Sequence, residues 1–151
     1  MRRFLKTGAA MAASMLIGAS AQAMTCAAGD RDGLAVRALQ TRLMVAALTC
    51  DARADYNQFV TRFRPHLTEH GTRMRRYFRH AHGVRHKQAL NSYVTDLANR
   101  ASTLSINDRA GFCTISRTAF GRLLGAADRD AYSVLSQVAA ETGARASWAG
   151  C

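Results

Sequence analysis

Tyr56-Asn57-Gln58-Phe59-Val60-Thr61-Arg62-Phe63-Arg64-Pro65-His66-Leu67 is the stretch that decides the fold. Its apolar residues, Tyr56, Phe59, Val60, Phe63 and Leu67, recur at steps of three and four. That spacing puts them on one side of an α-helix and on no single face of a strand. Pro65 is the only proline in the chain. It lacks a backbone donor and crowds the preceding turn, so a helix running through it must kink or restart. The same phase resumes with Met74, Tyr77 and Phe78. The stretch therefore reads as one long kinked helix, or as two helices meeting near Pro65 or Gly71.

The same period extends in both directions. Upstream, Leu39, Leu43, Ala46 and Cys50 share a face of a helix from about Gly33 to Cys50. Asp51 is placed to cap the helix that follows. Downstream, Gly83 marks a break. From about Arg85 to Leu104, the residues Leu90, Tyr93, Val94, Leu97, Ala101 and Leu104 keep a helical pattern. Asn107 or Asp108 caps a helix carrying Phe112, Cys113, Ile115, Phe120, Leu123 and Leu124. A last helix begins near Asp128 or Asp130, carries Tyr132, Val134, Leu135 and Val138, and ends at Gly143. No alternating strand pattern, internal repeat or long linker interrupts this. The expected fold is all-α: a single-domain bundle of about five amphipathic helices, of antiparallel type, stapled by disulfides.

The N-terminus sets the compartment. Arg2, Arg3 and Lys6 precede an Ala/Met/Leu-rich stretch from Gly8 to about Gly18, and Ala21-Gln22-Ala23 supplies small residues at a cleavage site. Residues 1–23 read as a secretory signal peptide and 24–151 as the helical domain. Thr25 before Cys26 fits a lipid anchor poorly. After cleavage every apolar run is interrupted by a charge, so no transmembrane segment is expected, and the protein is expected to be periplasmic or secreted. Four cysteines in an oxidising compartment imply two disulfides, with three possible pairings. Pairing like environments joins Cys26 to Cys151 at the two irregular ends and Cys50 to Cys113 on apolar helix faces. No CxxC or CxxCH motif points to redox exchange or haem attachment.

Charge is the remaining signal. The chain has 21 Lys+Arg against 10 Asp+Glu. Without Arg2, Arg3 and Lys6 the balance is 18 against 10, a net charge of +8. Every remaining cation except Lys87 is arginine. GC-rich coding accounts for much of the preference for arginine over lysine, but not for where the cations lie. Residues 62–87 hold Arg62, Arg64, Arg73, Arg75, Arg76, Arg79, Arg85 and Lys87, with one acid, Glu69. A helical wheel sets Arg75, Arg76 and Arg79 opposite the Phe63/Leu67/Met74/Phe78 stripe. Arg73, Arg75, Arg76, Arg79 and Arg85 are the candidate anion-binding residues, fitted to a lipid headgroup or a polysaccharide. The plain alternative is a solvated helix face. No nucleic-acid-binding motif accompanies the charge, and specific nucleic-acid recognition is not expected.

All five histidines, His66, His70, His80, His82 and His86, lie in the same stretch. Their protonation near pH ~6.5 would raise the net charge from +8 toward +13. His66 and His70 are one turn apart, a chelating spacing for a transition metal. The runner-up function is accordingly a periplasmic metal-binding or stress-protective protein using the His66–His86 cluster. The wheel also sets His70 inside the apolar stripe, where a histidine is more often a core residue than a ligand. No HExxH motif, nucleophile elbow, phosphate-binding glycine loop or paired carboxylates are present, so no enzymatic activity and no cofactor is expected. The function expected from sequence is non-catalytic binding of an anionic partner through the basic Arg/His-rich helix.

Overall fold

The computed structural model describes residues 28–142, and these are helical almost throughout. Six α-helices follow one another: α1 Ala28–Thr49, α2 Arg53–Arg62, α3 Arg64–His82, α4 His86–Asn107, α5 Arg109–Gly125 and α6 Ala131–Glu141. Short 3-10 turns at 83–85 and 128–130 join α3 to α4 and α5 to α6. The expected signal peptide at 1–23, the expected Cys26–Cys151 pairing and the expected helix stop at Gly143 fall outside the described residues.

Pro65 restarts the helix, as its chemistry requires. It occupies the first turn of α3, where a missing donor costs nothing. Phe63 joins α2 to α3, donating to the Phe59 carbonyl and accepting from the Leu67 amide, so the two helices are nearly continuous. Asp108 caps α5 by accepting from the Gly111 amide at 2.9 Å. Asp51 does not cap α2. That position belongs to Ala52, while Asp51 takes a left-handed φ of 58° that reverses the chain after α1. Aspartate tolerates this conformation better than most side chains. Gly83 has φ 52° and ends α3, a conformation favouring a residue without Cβ.

The first helix starts earlier than its sequence pattern indicates, and it is the centre of the molecule. Leu39, Leu43, Ala46 and Cys50 are buried, but so are Leu34, Val36, Ala38, Val45 and Ala47 on its other sides. A helix covered on most sides loses the one-sided pattern of a surface helix. Around it lie two contiguous apolar clusters. The larger joins α1 to α2, α5 and α6 through Phe59, Phe63, Phe120, Leu123 and Leu135. Full burial of each such side chain stabilises by about 1.5–3 kcal/mol. The smaller joins α1 to α3 and α4 through Leu34, Met74, Tyr77, Phe78 and Tyr93. The Tyr93 hydroxyl donates to the Leu34 carbonyl at 2.9 Å, which satisfies its polar end in the core.

Successive legs of the bundle reverse direction, as a bundle of antiparallel type requires. α3 runs against α1, with Gly33 beside His70 and Met74. The reversal at Gly83 then makes α4 run with α1, Leu34 meeting Tyr93 and Thr49 meeting Arg109. Two reversals restore the first direction. At the α1–α3 crossing a Cβ on Gly33 would stand 3.0 Å from the His70 carbonyl oxygen, so glycine permits the close approach. Cys50 and Cys113 are bonded, with Cα atoms 5.5 Å apart, and staple the end of α1 to the first turns of α5.

Candidate functional site

Helix α3 carries the charge found in the sequence, and its packing sorts that charge into three groups. Met74, Tyr77 and Phe78 are buried against α1 and α4, which turns the intervening positions outward. Arg75, Arg76 and Arg79 are exposed, as are Arg85 in the following turn and Lys87 in α4. None of these five has a carboxylate partner among the described residues. No acid occurs between Glu69 and Asp96, so the stretch that forms the α3–α4 corner supplies no counter-charge to these cations.

Arg73 belongs to a second group. Its guanidinium bonds Glu69 and reaches the Tyr132 hydroxyl at 3.5 Å. The Glu69 hydrogen bond raises its pKa, with further help from Tyr132. It reaches α6 through Tyr132, with its charge already matched by Glu69. Arg62 likewise spends its donors internally. It bonds the carbonyls of Leu124 and Ala126 at the end of α5 and the Asp128 carboxylate.

The third group surrounds a cleft of about 280 Å³ between α1 and α3. Arg37, Arg64 and Arg75 stand around it, with Val36, Leu67 and Met74 among its apolar lining. Arg37 was not singled out by sequence reasoning, because it lies in α1, outside the basic 62–87 stretch. Its Nη1 donates to Gln40 Oε1 at 3.2 Å. Its Nε is buried without a partner.

The histidines divide as well. His70 is buried to 1% exposure, and neither ring nitrogen has a hydrogen-bond partner. Its ring stacks on Tyr132 of α6, with centroids 5.3 Å apart. Burial lowers its pKa first, and the Arg73 charge adds to this. Glu69 and Asp32 oppose the shift, and His66 reinforces it. His66 meets the same Tyr132 ring edge-on at 5.7 Å. The two histidines of the chelating pair thus share an aromatic neighbour. Among the described residues no group of three His, Cys, Asp or Glu side chains could hold a metal ion. His82 and His86, also four residues apart, are separated by the Gly83 turn: His82 stacks on Phe78, and His86 Nδ1 lies 2.8 Å from the Gly83 carbonyl.

No described helix is long and apolar enough to cross a membrane. Compared with protein-family models, curated proteins and solved structures, the chain matches none of them.

Proposed function

We propose that this is an exported, non-catalytic protein that binds an anionic surface, a lipid headgroup layer or an acidic polysaccharide, through the α3–α4 corner. The observation that carries the reading is the set of unpaired, exposed cations Arg75, Arg76, Arg79, Arg85 and Lys87 on one corner with no acid among them. Elsewhere Arg62, Arg73, Arg100 and Arg122 face carboxylates. Unpaired surface charge contributes little to folding, whereas several cations together attract a polyanion strongly. The Cys50–Cys113 bond supports an oxidising compartment. The metal-binding alternative lacks a third ligand among the described residues, so it gains no support from the geometry.

The test is retention on heparin and on anionic vesicles, at low and high salt, for wild type and Arg76→Gln/Arg79→Gln/Arg85→Gln. Each cation near an anionic lipid surface is worth about 1 kcal/mol, so losing three should weaken binding roughly a hundredfold. Binding should also fall as salt shortens the Debye length from ~10 Å at 0.1 M to ~3 Å at 1 M. A wild type that ignores both polyanions at low salt, or a triple variant that binds equally well, leaves the corner as a solvated face.

A further inference from the structure

We infer that the α1–α3 cleft is a binding site for a single-chain anionic amphiphile, bordering the exposed corner at Arg75. The head would lie among Arg37, Arg64 and Arg75, and the chain would run over Met74 toward α4.

Three observations carry this. The first is the charge. Arg37, Arg64 and Arg75 line one cleft whose lining includes no acid. Arg37 is the decisive member. It is half-buried in the central helix, its Nε has no partner among the described residues, and its one side-chain hydrogen bond there goes to a neutral amide. Desolvating a cation without a counter-charge is unfavourable. A bound anion would relieve it. Arg75 is exposed, and its Nη2 donates to the Thr72 hydroxyl at 3.0 Å. Arg64 is exposed with no side-chain partner among the described residues. Three arginines lining one space suit a carboxylate or phosphate head.

The second observation is the lining. A simple inorganic anion would leave most of a space of about 280 Å³ unfilled. Val36, Val60, Leu67 and Met74 supply its apolar walls. Gly33 and Gly71 also line it and put no side chain into it. Space of this kind with a few convergent polar groups is typical of sites for small organic ligands.

The third is continuity. A second depression, of about 590 Å³, shares Arg37, Met74 and Arg75 with the first and extends over Leu90 and Val94 of α4. Its lining also includes no acid. Arg37 and Arg75 stand where the two meet, and Met74, Leu90 and Val94 lead away toward α4. A head with one flexible chain matches that order. A polyanion, charged along its whole length, would leave the apolar part uncovered.

The experiment is calorimetric titration of the mature, disulfide-bonded protein with laurate and with dodecyl phosphate, both below their micellar concentrations. Dodecanol and inorganic phosphate serve as chain-only and head-only probes. The expected result is saturable one-site binding of at least one of the two amphiphiles, with the tighter one naming the head. Arg37→Gln should weaken it about tenfold or more. Arg64→Gln, which removes an exposed rim charge with no internal partner, should weaken it in the same direction and decides the matter if Arg37→Gln fails to fold. Absence of saturable binding by both amphiphiles overturns the inference. So does dodecanol binding as tightly as laurate, inorganic phosphate binding as tightly as dodecyl phosphate, or Arg variants that bind like wild type. The heparin test uses charges outside the cleft and a polymeric ligand, so either proposal can fail without the other.

Discussion

His70 is a basic group placed where only its neutral form is comfortable. It is buried, stacked on Tyr132, and has no hydrogen-bond partner at either nitrogen. Burial lowers its pKa, and Arg73 and His66 act in the same direction against Glu69 and Asp32. The sign of the pH effect follows. The unfolded chain takes up a proton at His70 near pH ~6.5, while the folded protein resists it to lower pH. Between the two values the unfolded state binds more protons, so stability rises with pH there. The contribution is fully present above about pH 6.5 and is lost as pH falls toward the lowered folded value. Thermal melts from about pH 7.5 to about pH 5 should show wild type losing stability through this window. His70→Phe, which keeps a ring beside Tyr132, should flatten the profile. Parallel profiles would assign the acid response to other groups. The helical wheel was enough to place His70 on the apolar side of α3. Its partner was not legible, because Tyr132 lies on a helix distant in sequence and is itself partly exposed.

At the scale of elements, the arginines explain what composition could not. Several of them close helix ends. Arg109 donates twice to the Thr49 carbonyl at the end of α1, at 2.6 and 3.1 Å. Arg117 donates to the Cys50 carbonyl at 3.2 Å. Arg42 reaches the Thr142 carbonyl just after α6 at 3.1 Å, and Arg62 holds the end of α5. The last carbonyls of a helix have no partner inside it, and a cation there also meets the negative end of the helix dipole. A guanidinium supplies several donors from one side chain. Arg62→Met should therefore cost about 1–3 kcal/mol, by leaving carbonyls and Asp128 without their donor. Arg79→Gln, on the unpaired corner, should stay within about 0.5 kcal/mol. Urea titration of both variants checks the contrast, and similar losses would mean that this division of the arginines is wrong. Local chemistry made the Pro65 restart, the Asp108 cap and the Gly83 break readable. The arginine clamps were not, because each joins residues far apart in sequence and nothing in the pattern around Arg62 or Arg109 marks a distant carbonyl.

For the molecule as a whole, the decisive feature is that α1 is wrapped by the others. Its sequence displays one good stripe, Leu39, Leu43, Ala46 and Cys50. Leu34, Val36 and Val45 fall outside that stripe and are buried all the same. An amphipathic reading captures the stripe and misses the central position, because periodicity weakens when most sides are covered. The helical class and the environments of Cys50 and Cys113 were legible from period alone. The alternating direction of successive legs was legible as well, because short connections impose it. The Cys50–Cys113 bond links the end of this central helix to α5 across a sequence separation of 63 residues. Closing a loop of that length removes unfolded-chain entropy worth about 4 kcal/mol. Both cysteines are buried among apolar neighbours, so replacing both with alanine avoids adding a hydroxyl to the core and mainly tests the cross-link. Cys50→Ala/Cys113→Ala should lose about 2–5 kcal/mol, read as a lower urea midpoint with helical circular dichroism preserved in the absence of urea. A midpoint equal to wild type would mean that packing around α1 holds the two ends together without the bond. Such a result would also remove the main structural support for an oxidising compartment, since the fold would then stand equally well with its thiols reduced.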